Sequence, residues 1–138
     1  MPSEAPVTLL LMDDNSRLRM RLAALFGSVP HFSVVADADT AAEGLAAARR
    51  GQPDVVVMEV RLPDGSGVKA CRVIRSELPA TRVVMLTSSR EERDLAQSYA
   101  LGANAYVVKP VEFQQFISAV KELGVFWGVI NEPPPERN

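Results

Sequence analysis

A single cysteine, Cys71, leaves this chain without any internal disulfide and suits a reducing compartment. No apolar run approaches the ~20 residues that a membrane-spanning helix requires. Residues 1–6 lack the basic-then-apolar pattern of a secretory signal. A cytoplasmic protein with no membrane association is the expectation. No charge of one sign dominates either: 15 Lys and Arg stand against 17 Asp and Glu, for a net charge of −2. With the signs mixed, the electrostatic footprint of a nucleic-acid binder is missing. What remains is ordinary. Of 138 residues, 47% are hydrophobic and 23% charged, which fits one domain with a core of its own.

Proline and glycine divide the chain into short units. Asp54 to Val60 is a Val-rich run between Gln52-Pro53 and Pro63-Asp64-Gly65, and it reads as a strand buried on both faces at the centre of a parallel sheet. Val7 to Met12 is another buried strand, ending abruptly in Asp13-Asp14-Asn15-Ser16. A helix follows, with Leu18, Leu22 and Leu25 on one face and Gly27 as its stop. Phe32 to Ala36 gives a second strand. Asp37-Ala38-Asp39-Thr40 then supplies cap chemistry for an Ala-rich helix to about Arg50, stopped by Gly51. After the turn Pro63-Asp64-Gly65-Ser66-Gly67, Cys71, Ile74 and Leu78 mark a third helix that Pro79 ends. Arg82 to Thr87 is a fourth strand, Arg90 to Leu101 a polar-faced helix closed by Gly102, and Ala105 to Val108 a fifth strand leading into Lys109-Pro110. A last helix from about Glu112 carries Phe113, Phe116, Val120 and Leu123 inward.

Strands and helices alternate five times. That pattern demands a parallel sheet with right-handed crossovers and helices on both faces. The expected fold is an α/β, flavodoxin-like (βα)5 three-layer sandwich, with strand order 2-1-3-4-5 and a switch point between the first and third strands. The domain spans residues 7–130, after an extended or disordered N-terminus over 1–6. Residues 131–138 form a tail whose consecutive prolines cannot continue a helix.

The switch point brings Asp13 and Asp14 beside Glu59, and the fourth and fifth strands end on Thr87 and Lys109. Carboxylates crowded in one crevice repel each other unless a cation neutralises them. An all-oxygen site with few ligands suits Mg²⁺, which keeps waters and accepts phosphate oxygens. Thr87 offers a hydroxyl and Lys109 a positive charge, both suited to a phosphoryl group. Each residue has a plainer reading: Asp14, Asn15 or Ser16 as a helix cap, Thr87 as a strand residue, Lys109 as a solvated charge, Asp64 as a turn residue. His31 and Cys71 read as structural. The set as a whole, at successive strand ends, is what points to chemistry.

The motifs Leu-Leu-Met-Asp13-Asp14-Asn, Pro-Asp-Val-Val-Val-Met-Glu59-Val-Arg-Leu-Pro-Asp-Gly, Val-Met-Leu-Thr87-Ser88 and Tyr106-Val-Val-Lys109-Pro110 resemble those of two-component response regulator receiver domains, from about Val7 to Leu123. The resemblance implies Mg²⁺ held by the acidic pair with help from the Arg61 backbone carbonyl. It also implies phosphoryl binding by Thr87 and Lys109, and a switch through Thr87 and Tyr106. Up to Ser88 the chain looks like receivers joined to DNA-binding domains; from Ser89 onward it is more similar to phytochrome-associated single-domain regulators. The implied partner is a sensor histidine kinase or phytochrome-like kinase.

The family's acceptor is an aspartate, and here the position holds Glu59. One extra methylene carries the carboxylate ~1.5 Å further into the site, and a misplacement of ~1 Å can cost on the order of 10²-fold in an oriented reaction. Phosphorylation is therefore expected to be lost, weakened or partly mimicked, and the chain is not expected to be an enzyme. The alternatives are a working acceptor at Glu59 or Asp64, or a Mg²⁺-dependent phosphohydrolase. A flavin-binding reading fails because the loop after the first strand is acidic where a phosphate cradle is needed.

No helix-turn-helix or catalytic domain follows, so a stand-alone regulator acting through protein contacts, with no direct nucleic-acid binding, is expected. Beyond Leu123, Val125, Phe126, Trp127, Val129 and Ile130 continue as an apolar block with little core left to bury it. Such a patch marks an interface. Phe126, Trp127 and Ile130 are the expected anchors of a homodimer.

Overall fold

A computed structural model of the chain describes residues 6–87 and 102–108, together with Gln114, Phe116 and Ser118. The predicted fourth helix, most of the last helix, the apolar block and the tail lie outside the described residues.

The elements are β1 (Val7–Met12), α1 (Ser16–Gly27), β2 (Phe32–Ala38), α2 (Ala41–Gly51), β3 (Val55–Glu59), β4 (Arg61–Leu62), β5 (Gly65–Ser66), α3 (Gly67–Glu77), β6 (Arg82–Thr87) and β7 (Ala105–Val108). Five strands form one parallel sheet in the order β2-β1-β3-β6-β7. This is the flavodoxin-like order expected, with the chain reversing direction across the sheet between β1 and β3. The turn after β3 is in fact a two-residue antiparallel hairpin, β4 with β5.

The apolar runs are continuous because the central strands bury both faces. Alternate side chains diverge into two cores. On one face Leu10, Met12, Val56, Met58, Val83 and Met85 pack under α2 and α3, against Ala47, Ala48, Cys71 and Ile74. On the other, Leu9, Leu11, Val57, Val84 and Leu86 meet Leu22 and Phe26 of α1 and Phe116 of the last helix. Phe116 meets Phe26 edge-on with centroids 5.7 Å apart. This is the three-layer arrangement.

Three boundaries differ from the sequence reading. β2 runs on to Ala38, because Asp13 N–H bonds the Ala38 carbonyl at 3.0 Å and the ladder continues past Ala36. β3 is shorter by a residue at each end. Gly51 lies within α2; the left-handed stop is Gln52, at φ 46°, whose N–H bonds the Ala48 carbonyl.

The amino ends of the strands are stapled by side chains. Asp54 accepts from Thr8 N–H at 2.9 Å and from the Thr8 hydroxyl at 3.2 Å, while Thr81 donates to the Pro53 carbonyl at 2.8 Å. These bonds fix the register of β1, β3 and β6. They thereby decide which residues emerge together at the opposite end.

Candidate phosphoryl and metal site at the strand ends

Register places the site residues side by side. Met12 pairs with Met58, so Asp13 follows β1 beside Glu59, the last residue of β3. Glu59 pairs with Leu86, and Thr87 with Val108. Thr87 ends β6 and Tyr106 lies in β7, but their side chains lie outside the described residues, as does all of Lys109. Phe126, Trp127 and Ile130 lie outside them too.

Asp13 and Glu59 are buried, at 3% and 6% exposure. A carboxylate so enclosed needs donors or a cation. Asp13 Oδ1 accepts the Asn15 N–H at 2.8 Å. Glu59 Oε2 accepts the Arg61 N–H at 3.2 Å, so the longer side chain curls onto its own loop. Asn15 is the cap of α1, its side chain accepting from Leu18 N–H at 3.0 Å. That settles one ambiguity: Asp14 is not the cap, and it stands exposed at the mouth of the crevice.

Two glycines make the close packing here possible. A Cβ on Gly67 would lie 2.0 Å from the Glu59 carbonyl oxygen, so α3 starts directly against the end of β3. A Cβ on Gly44 would meet the Met12 side chain at 2.3 Å, so α2 lies tight over the end of β1.

Two residues acquire roles that the sequence reading missed. Arg19 donates through Nη1 to the Asp13 carbonyl, and its Nε lies 3.9 Å from Asp37 Oδ1, binding the loop after β1 to the end of β2. Three arginines in α1 with no acid in its first turn run against the helix dipole, and that was the available signal. Asp64, read as a turn residue, accepts from Ala41 N–H at 2.7 Å and Ala42 N–H at 3.0 Å, across more than twenty residues of sequence. Those two donors at a helix N-terminus hold its carboxyl below the usual carboxylate range. No local pattern could have revealed a partner so distant.

Among the described residues, no three His, Cys, Asp or Glu side chains are gathered closely enough to enclose an ion. The donor chemistry nevertheless fits Mg²⁺: buried Asp13 and Glu59, exposed Asp14 and the Arg61 carbonyl are all hard oxygens. Mg²⁺ is commonly bound through one or two carboxylates, with water and phosphate oxygens completing its shell.

Comparison with known proteins identifies the class. Residues 9–121 match the response regulator receiver domain, and the chain belongs to that family. Domains of this kind bind Mg²⁺ at their phosphorylation site and interact with histidine kinases. The chain is 37% identical over 118 residues to the DNA-binding transcriptional activator DevR/DosR of Mycobacterium tuberculosis, covering 86% of this chain and 54% of that protein. Among solved structures it is similar to a LuxR-family two-component response regulator from Aurantimonas sp. SI85-9A1, with 29% identity, a TM-score of 0.79, and coverage of 85% of this chain and 84% of that one. It is also similar to the signal receiver domain of the putative response regulator NarL from M. tuberculosis, with 28% identity, a TM-score of 0.75, and coverage of 84% and 94%. The chain spans about half the length of the curated relatives it matches. Those relatives are regulators and not enzymes. Among the described residues, no helix is long and apolar enough to cross a membrane.

Proposed function

We propose that the chain is a receiver whose phosphoacceptor position is held by Glu59, so that phosphoryl transfer is lost or strongly weakened and signalling goes through protein contacts. The observation that carries this reading is the buried Glu59 carboxylate at the end of the central strand, with Oε2 on the Arg61 N–H at 3.2 Å. An aspartate would present its oxygens ~1.5 Å nearer the strand. The glutamate spends its extra length by folding onto the loop, and one oxygen gives lone-pair density to a backbone donor. Both changes weaken it as an oriented nucleophile.

Asp13, Asp14, Glu59 and the Arg61 carbonyl would hold Mg²⁺, which when bound neutralises charge on an incoming phosphoryl group. The protein's own contribution is to keep Asp13 oriented through the Asn15 N–H, with Asp13 and Glu59 both buried at the strand ends. Thr87 and Lys109 are assigned to the phosphoryl oxygens, and Thr87 and Tyr106 to the switch. Asp64 is not favoured as an acceptor, since both its oxygens are engaged on α2.

The kinase partner in this reading is a sensor histidine kinase or phytochrome-like kinase, supported from Ser89 onward by the resemblance to phytochrome-associated regulators. Output runs through a homodimer anchored by Phe126, Trp127 and Ile130. The receiver itself makes no contact with nucleic acid, in keeping with its net charge of −2. We assign it to the cytoplasm.

The test is the beryllofluoride adduct, which copies an acyl phosphate and is read by fluorine NMR in the presence of Mg²⁺. The Glu59→Asp variant forms the adduct and the unaltered chain does not. An adduct of equal stability on both would refute the proposal.

A further inference from the structure

We infer that Asp64 is a positioning residue that couples the loop after Glu59 to the N-terminus of α2, so that a change at the acceptor carboxylate is transmitted to that helix. The functional meaning rests on the reading of Glu59 as the acceptor position; the mechanical coupling does not.

The first four N–H groups of a helix have no partners within it. In α2 one of these needs is met locally, the Thr40 side chain accepting from Glu43 N–H at 3.1 Å, and the ordinary helical ladder begins with Gly44 N–H on the Thr40 carbonyl at 3.0 Å. Among the described residues, the Ala41 and Ala42 N–H groups find their acceptor in Asp64, one carboxylate oxygen to each. Asp64 sits in the turn between β4 and β5. That hairpin begins at Arg61, whose N–H holds Glu59, and it ends where Gly67 N–H bonds the Val60 carbonyl at 2.6 Å. A short, closed hairpin transmits displacement because it has no slack. Pulling Glu59 away from Arg61 N–H therefore shifts Asp64 and uncaps α2. Loss of the Asp64 hydrogen bonds to α2 in turn loosens the loop that carries the Arg61 carbonyl.

Thr40 and Asp64 cap the same helix, but Asp64 belongs to the hairpin after Glu59 and Thr40 to the segment before α2. A mere stability role would make the two interchangeable. Coupling makes them different, and backbone amide exchange measured by NMR on the full chain separates the cases without Mg²⁺ or phosphate. In Asp64→Ala, the amides of Ala41, Ala42, Arg61 and Gly67 all exchange about fivefold faster or more, the scale of losing a helix cap. Asp64→Asn, which keeps one oxygen acceptor, recovers part of that protection. Thr40→Ala speeds exchange in α2 and leaves Arg61 and Gly67 unchanged. Coupling is reciprocal, so Glu59→Gln changes protection at Ala41 and Ala42. The inference is overturned if Asp64→Ala leaves Arg61 and Gly67 unaltered, or if Thr40→Ala loosens the loop equally. A Glu59→Asp variant that takes up no phosphoryl group would defeat the acceptor-position reading alone, since these exchange rates are measured without Mg²⁺ or phosphate.

Discussion

Replacing Gly67 with alanine tests how tightly the site is built. Gly67 opens α3, and a Cβ there would stand 2.0 Å from the Glu59 carbonyl oxygen, 3.0 Å from its carbonyl carbon and 3.1 Å from Val60 Cα. All three atoms are backbone, so no rotamer change relieves the contact. Two effects oppose. Alanine improves helix propensity by up to ~1 kcal/mol over glycine. Overpacking costs ~1–3 kcal/mol even where side chains can yield, and here the end of β3 or the start of α3 must move instead. Gly67→Ala is therefore expected to lose about 1–2 kcal/mol net, read by urea unfolding with an unchanged m-value. The comparison is Gly51→Ala, where nothing lies within 4 Å and φ is not positive; that substitution should gain up to ~1 kcal/mol. A Gly67→Ala protein as stable as the parent would show that α3 does not press on β3 and would undo the account of how Glu59 is held.

Phe116→Ala, which removes a fully buried ring packed on Phe26, should cost ~3–5 kcal/mol in the same assay; a loss under ~1 kcal/mol would detach the last helix from the α1 face. Burial pushes the Cys71 thiol up to about 11, so native protein at pH 8 should react with a disulfide reagent on the order of 10²-fold slower than unfolded protein. Rapid native labelling would contradict its place on the buried face of α3. The folded-state pKa of Asp64 is depressed by the Ala41 and Ala42 N–H groups. Its contribution to stability is thus present above the unfolded value of about 3.9 and lost as pH falls through the lower folded value. Asp64→Asn should flatten the acid limb of a stability–pH curve, and an unchanged limb would refute the cap.

Legibility in the sequence followed the range of the interactions. β1, β3 and β6 were plain because continuous apolar runs have one common explanation, a parallel strand covered on both faces. The strand order, with its switch point between the first and third strands, is enough to bring Asp13 beside Glu59. Boundaries were weaker. Gly51 carried the usual stop signal, yet the left-handed position falls on Gln52, because glycine permits that conformation without demanding it. Asn15, Asp14 and Ser16 were indistinguishable as caps until the Leu18 hydrogen bond singled out Asn15. The contacts of Asp64 with α2 and of Arg19 with the Asp13 carbonyl were illegible for a different reason. Each depends on where separate segments come to rest, and no local spacing encodes that. Glu59 was conspicuous from the start as an acid ending an apolar strand. The direction its carboxylate takes, onto the Arg61 N–H, needed the structure.

The central claim is that a single methylene at position 59 separates this receiver from one that accepts a phosphoryl group. The most direct measurement is incubation with Mg²⁺ and acetyl phosphate, read by intact mass, for the parent chain and Glu59→Asp side by side. The account predicts a phosphoryl mass on the aspartate variant and none, or a small fraction, on the parent. Equal modification of both would contradict it, with peptide mapping to say whether Glu59 or Asp64 carries the group.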